Sequence, residues 1–316
     1  MAAEHFQRDR VGLVVNLGDT IDGKCQDTHK LNGWDGLGKD GVKQQGAAIS
    51  SNPGIDAIEE VVDALSAYSH GPILHTYGNH ELYNMDREQL GPLLNIPFLK
   101  EPCGDLVGYW SHLAKECGVR FVFLDSYDVA VGGRRDTSEK RKQAEKILAL
   151  NNPNFPENEN SPQGLDGLMR RFVAFGGAVG DAQLKWLSAT LEEAKQRSEK
   201  VILLSHQPIM PASSNPICLV WNYEEVLTLL NKYPCTVIAS FSGHAHRGGY
   251  ARCKESGIHF RVFEAVLESP DPTNTYSFVD VHQDCLVVRG LGDCESATYD
   301  FDHMRKDSAS SLLKMT

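Results

Sequence analysis

Short apolar runs recur along the chain, and each ends in Gly, Asp, Ser or His. Val11–Leu17, Ile73–Tyr77, Arg120–Leu124, Val201–Leu204 and Thr236–Phe241 are rich in Val, Ile, Leu and Phe, the signature of short buried strands. Ile258–Val266, Tyr276–Val281 and Cys285–Val288 follow one another near the end with only turns between them. Between the earlier runs the apolar period lengthens to that of a helix. Ile55, Ile58, Val62 and Leu65 share one face behind Asn52 and Pro53. Leu184, Leu187, Leu191 and Ala194 share another, behind Asp181 as N-cap. Asn222, with Glu225 three residues on, opens a helix carrying Val226, Leu229 and Leu230. Alternation first and consecutive strands later predict a layered α/β sandwich rather than a purely doubly wound sheet.

Two stretches lack periodicity. Cys25–Asn52 is Gly-rich, and Asn151–Gly167 is dominated by Asn, Pro and Glu; loops this long inside a compact domain are functional or disordered. The basic run Lys140–Lys142 falls on a helix and reads as a solvated face. Asp302–Thr316 reads as a loose polar tail. Gly33–Asp40 approaches a phosphate-binding loop, but Asp40 stands where Ser or Thr is needed and no apolar strand precedes it. His80-Glu81 begins like a zincin helix, but Asn84 occupies the position of the second histidine.

Composition narrows the function. The 316 residues are 41% hydrophobic, which excludes wholesale disorder. The formal net charge of -11 is opposite to what neutralising a nucleic-acid backbone requires, so no nucleic-acid partner is expected. No run reaches the roughly 18 apolar residues of a membrane span, so no membrane partner is expected. Met1–Arg10 has no apolar core of a secretory signal, and the eight cysteines are scattered without a C-x-x-C pair. Both features point to reduced thiols and a cytoplasmic protein.

Four segments carry the chemistry: Gly18–Asp22 (GDTID), Gly78–Glu81 (GNHE), Ser205–Pro208 (SHQP) and Gly243–His246 (GHAH). Each follows an apolar run at once. In a mainly parallel sheet the carboxyl ends of the strands share one edge, where ligands bind. That geometry gathers Asp19, Asn79, His80, His206, His244 and His246. The set is mixed nitrogen and oxygen without thiolate, which suits Mn, Zn or Fe. Glycine before Asp19, Asn79 and His244 lets the backbone turn sharply.

These motifs resemble the calcineurin-like metallophosphoesterase superfamily, and within it the group of manganese-dependent ADP-ribose/CDP-alcohol diphosphatases. The resemblance runs through Leu17–Gly23, Gly78–Asn84, Arg120–Asp128, Gln183–Leu187, Ser205–Pro208, Cys218–Glu224 and Gly243–Tyr250. Gly23 stands where the protein phosphatases of the superfamily carry Arg. The resemblance implies a four-layer α/β/β/α metallophosphoesterase sandwich over residues 1–301, with 127–180 as an insertion or cap. It implies two divalent metal ions, Mn first, with Zn, Fe or Mg as alternatives. Asp19 would bridge them; Asn79, His206 and His244 would complete one site and His246 would belong to the other. Two cations roughly 3.5–4 Å apart need a shared anion. His80 would protonate the leaving oxygen or stabilise its charge, and Asp22 would orient nearby groups. The implied partner is a small nucleotide-diphosphate substrate, with Arg170 or Arg171 meeting a phosphate and Cys218, Trp221 and Tyr223 near the nucleoside. A phosphodiesterase or monoesterase, or a non-catalytic binding module, is the alternative.

One superfamily motif, a strand ending in Asp-x-His or Asp-x-Gln, does not occur before Val11. The expected fold is therefore N-terminally truncated by about one strand and helix. Glu4, His5, Gln7 and Asp9 are poor substitutes: at roughly 3.3 Å per residue they lie on the order of 20 Å from Asp19, and they read as the end of a helix. Only Asp19 and His246 then remain for one metal site, which is expected to be weak, and Val11–Leu17 is expected to fray for want of a neighbour.

Overall fold

The computed structural model describes residues 2–25, 52–270 and 273–301. In chain order the elements are α1 (Ala2–Arg8), β1 (Val14–Asn16), α2 (Pro53–Leu65), β2 (Ile73–His75), α3 (Asn79–Asn84) and α4 (Arg87–Leu93). A small hairpin, β3 (Leu99–Lys100) and β4 (Leu106–Val107), leads to β5 (Trp110–Ala114) and β6 (Val119–Phe123). Then come α5 (Glu139–Asn151), α6 (Asp181–Gln196), β7 (Lys200–Ser205), α7 (Tyr223–Leu230), β8 (Val237–Ser242), β9 (Arg247–Arg252) and β10 (His259–Glu264). The last strands are β11 (Tyr276–Val281), β12 (Cys285–Leu291) and β13 (Ala297–Asp300).

A six-stranded sheet in the order β5-β6-β7-β8-β10-β9 forms the centre. β6, β7, β8 and β10 run parallel, and antiparallel β5 and β9 close the edges. β6 and β8 are buried at every position, because both faces of the sheet are covered and an unbroken apolar run is then required. On one face Val122, Val201, Leu203, Val237 and Phe260 pack against Leu187 and Leu191 of α6 and Val226 and Leu230 of α7. On the other face Phe121, Phe123, Ile202, Leu204 and Phe241 meet Val15 and Leu74 of the parallel β1–β2 pair and Leu286, Val288 and Tyr299 of the β11–β13 sheet. Val279 and Val281 point into this sheet-on-sheet core, while the alternate residues Tyr276 and Phe278 take the rings of His5 and Phe6 from α1 edge-on. The layers therefore read helix, sheet, sheet, helix, as expected.

The local details depart from expectation where a distant partner intervenes. β1 is shorter than the apolar run Val11–Leu17, and among the described residues it is hydrogen-bonded only to β2. The Val11 carbonyl is satisfied by the Tyr68 hydroxyl at 2.8 Å instead. α2 starts at Pro53 and is capped by Asn52, whose side chain accepts from Gly54 N–H. Asp181 is the first residue of α6 rather than its cap: the cap is Gly180, whose N–H donates to Asp128 Oδ2 at 3.0 Å. Asn222 precedes α7 but makes no side-chain capping bond, because its carboxamide pairs with both backbone groups of Val179.

Val129, Ala144, Leu148, Phe172, Ala174 and Ala178 pack with Trp221 into a small core. The long segment Asn151–Gly167 is ordered by two carboxamides: Asn152 donates to the carbonyls of Glu159, Ser161 and Phe172, and Asn154 to those of Ser161 and Gln163. The solvated-face reading of Lys140–Lys142 is corrected for Lys140, which is buried and paired with Asp128 and Glu101. Most of Cys25–Asn52, the near-P-loop Gly33–Asp40 and the tail from Asp302 lie outside the described residues.

Candidate metal centre

The two sheets bring the ends of β1, β2, β7 and β8 to one place. The direct link between them is a hydrogen bond: His206 Nδ1, just after β7, donates to the Leu17 carbonyl, just after β1, at 2.6 Å. Tight backbone geometry makes this approach possible. Gly18 has φ +90, and a Cβ there would lie 2.7 Å from both Gly78 N and His206 Nδ1. A Cβ on Gly78 would lie 2.2 Å from Asp19 N and Oδ1. Asp19 (φ 54) and His244 (φ 64) both sit in the left-handed region, a strained state that folds retain where a side chain must be aimed.

Glu81 pins the two strand-end loops together. Its fully buried carboxylate accepts from the N–H groups of Gly78 at 3.0 Å and Asp19 at 3.1 Å, and also from Thr20. Asp19 Oδ1 in turn accepts from His80 N–H at 3.0 Å. Asp19 Oδ2 is left facing His206 Nε2 at 3.0 Å. His206 Nε2 also lies 3.1 Å from His244 Nδ1. The ligand atoms of Asp19, His206 and His244 all fall within 4.8 Å of one another.

This arrangement fits a cation. The other nitrogen of His206 is committed as a donor to Leu17, so in the neutral ring Nε2 offers a lone pair. That lone pair meets a carboxylate oxygen and a second imidazole nitrogen. A proton can serve only part of this convergence, whereas a divalent ion serves every member of it. The electrostatics show the proton that a cation would displace. Burial raises the Asp19 pKa, but His206 outweighs it and holds the carboxyl well below the usual carboxylate range. Burial lowers His206, yet the Asp19 carboxylate raises it further. Burial and then the charge of His206 push His244 down to about 3, so it stays a neutral ligand near neutral pH.

The remaining expected residues fall into different positions. Asn79 is buried, and its Oδ1 accepts from the Tyr127 hydroxyl at 3.2 Å. His80 Nδ1 accepts from Gly23 N–H at 3.0 Å. Because that nitrogen is an acceptor, the neutral ring carries its proton on Nε2. His246 Nδ1 stands 3.1 Å from Glu268 Oε1 and is not in the three-residue group. The Asp22 carboxylate accepts from Lys24 N–H, and its carbonyl accepts from the Asn84 carboxamide, which shapes the loop.

The phosphate reading of Arg171 is corrected: it is buried, donates to the Trp221 carbonyl at 2.6 Å and pairs with Glu224. Trp221 and Tyr223 are core residues. Sequence reasoning missed Glu81, Tyr127 and the Leu17 carbonyl. The first two lie inside quoted motifs, and the third carries no side-chain signal at all.

Comparison with known proteins identifies the fold family. Residues 2–248 match the profile of the calcineurin-like phosphoesterase family. The chain belongs to this family. Its relatives include a protein from Oryza sativa subsp. japonica named manganese-dependent ADP-ribose/CDP-alcohol diphosphatase, 35% identical over 291 residues, covering 90% of this chain and 78% of that protein. A protein of the same name from Bos taurus is 37% identical over 303 residues, covering 92% of this chain and 80% of that one. The crystal structure of a dimetal phosphatase from Danio rerio superposes with a TM-score of 0.79 at 30% identity, covering 95% of this chain and 87% of that chain. Within the calcineurin-like phosphoesterases the chain thus resembles enzymes named for two properties, manganese dependence and a diphosphate substrate.

Proposed function

We propose that this calcineurin-like phosphoesterase is a metal-dependent hydrolase of nucleoside diphosphate-linked substrates such as ADP-ribose and CDP-alcohols. The products are a nucleoside monophosphate and a phosphorylated sugar or alcohol. The observation that carries this reading is the convergence of Asp19, His206 and His244 on one point, in a chain about a third identical to diphosphatases along most of its length. Divalent ions bound there, Mn first, would supply positive charge for phosphoryl oxygens and lower the pKa of water.

The chain's own residues do the rest. Asp19, Asn79, His206 and His244 would hold one ion, and His246 would serve the other. Leu17 keeps the His206 ring turned so that Nε2 faces inward. Glu81 holds the Asp19 turn against the Asn79 turn. His80 presents Nε2–H to the leaving oxygen, and the Gly23 N–H at Nδ1 supports that tautomer. Residues 1–301 form the phosphoesterase domain, and residues 127–180 cover the site as a cap; the Phe175 ring, 5.7 Å from that of His244, supports this placement. No helix among the described residues is long and apolar enough to cross a membrane, and the cysteine pattern supports a cytoplasmic location.

The test is a substrate panel with Mn(II) on the full chain. Release of AMP from ADP-ribose and CMP from CDP-choline, lost in Asp19→Asn, is the expected result. Faster turnover of a simple phosphomonoester or phosphodiester, or no turnover of either diphosphate by the Mn-loaded protein, overturns the reading.

A further inference from the structure

Tyr127 lies in the motif Arg120–Asp128, which the chemistry above leaves without a role. The residue is 1% exposed. Its hydroxyl donates to Asn79 Oδ1 at 3.2 Å, and its ring centroid lies 6.0 Å from that of His206.

The backbone of Tyr127 is held from both sides. Its N–H donates to Asp125 Oδ1 at 3.0 Å, and its carbonyl accepts from Arg87 Nη2 at 2.7 Å. The same buried guanidinium pairs with Asp125 at 3.1 Å. Gln183, wholly buried, accepts from Asp125 N–H and donates to the Asp125 carbonyl and Asp128 Oδ2, each at 3.0 Å. The Lys140 ammonium completes the cluster against Asp128. Buried ion pairs are a poor source of net stability, because desolvation offsets their attraction. A fully bonded polar cluster does, however, lock one local geometry, and here the locked turn is the one that carries Tyr127.

The phenol contact has a specific consequence for Asn79. A carboxamide can bind a hard cation only through oxygen; its NH2 end has no lone pair to offer. A buried phenol that donates to Oδ1 selects one of the two amide orientations and leaves the second oxygen lone pair available.

We propose that Tyr127 is a positioning residue of the metal centre, whose hydroxyl fixes the carboxamide of Asn79 for coordination and is itself held in place by the Asp125–Arg87–Gln183 cluster. The inference rests on the reading of Asn79 as a metal ligand.

The experiment is a Mn(II) titration of the metal-free full chain, with free Mn(II) followed by electron paramagnetic resonance. It compares the parent protein, Tyr127→Phe, Asn79→Ala and the double variant. Tyr127→Phe is expected to weaken the tighter site about tenfold, in the range seen when a group supporting a ligand is lost. Asn79→Ala is expected to weaken it at least as much, and adding Tyr127→Phe to Asn79→Ala to change nothing further. Unchanged affinity in Asn79→Ala removes Asn79 from the ligand set and the inference with it. Weakening in Asn79→Ala with none in Tyr127→Phe overturns the inference alone. Equal weakening by Tyr127→Phe in both backgrounds does the same, because the phenol then acts elsewhere. A purely structural role would lower the melting temperature of metal-free Tyr127→Phe while leaving its Mn affinity at the parent value.

Discussion

His206 Nε2 lies 3.0 Å from Asp19 Oδ2, while the opposite nitrogen of the same ring donates to the Leu17 carbonyl at 2.6 Å. The ring is therefore oriented by one strand end and aimed at the carboxylate of the next turn. Removing the charge while keeping the shape tests this relationship. Asp19→Asn is expected to lower Mn affinity by at least the roughly 10–100-fold that loss of a mere supporting group costs. Equilibrium dialysis with metal analysis measures it, and parent-like retention of Mn would show that the carboxylate is not a ligand.

Metal stoichiometry follows from the unequal surroundings of the histidines. His206 and His244 share the Asp19 pocket, whereas the imidazole of His246 is engaged by Glu268 at 3.1 Å. One Mn(II) per chain is expected to bind tightly and a second more weakly. Calorimetric titration of the metal-free protein distinguishes this from two equally tight ions, which would place His246 in a site as complete as the first.

Among the described residues His80 has no hydrogen bond to His206 or His244; its Nδ1 accepts from Gly23 N–H, and its ring lies 6.2 Å from that of Tyr83. His80→Ala is expected to reduce turnover of ADP-ribose by about 10²–10⁴-fold, the usual contribution of a positioned proton donor, with bound Mn unchanged. Steady-state rates paired with metal analysis of the same samples check it. A full rate in the variant would take His80 out of the reaction.

His75 sets an acid limit on stability. It sits on β2 at 5% exposure with no partner for Nδ1 among the described residues, and burial pushes its pKa down to about 4. An unfolded histidine titrates near 6.5. Between these values the unfolded chain takes up a proton that the folded chain refuses. Stability is thus lost as pH falls below about 6.5, by up to roughly 3 kcal/mol near pH 4, and the effect is absent above neutrality. Urea unfolding at pH 5 and pH 7.5 should show a smaller pH difference for His75→Phe than for the parent. An identical difference would assign the acid sensitivity to other groups.

Much of this protein was legible in its sequence, and the boundary follows a physical line. β6, β7 and β8 were readable because burial on both faces demands an unbroken apolar run, which no surface segment can imitate. β5 and β9 were not, because each lies at a sheet edge; Arg247–Arg252, with two glycines and two arginines, carries no strand alternation. The strand-end motifs were readable because several short signals in order all fell at strand ends, but the single sheet edge they implied is corrected: Asp19 and Asn79 follow β1 and β2 of one sheet, and His206 and His244 follow β7 and β8 of the other. The solvated face read for Lys140 and the phosphate contact read for Arg171 failed for a common reason. Each side chain found a partner elsewhere in the chain: Asp128 and Trp221 respectively. Periodicity records whether a position faces water, and residue type records what it can bond to. Which bond is made depends on chain segments brought together only by packing, so the tertiary structure alone decided that Leu17 aims His206, that Glu81 joins two loops, and that Tyr127 reaches Asn79.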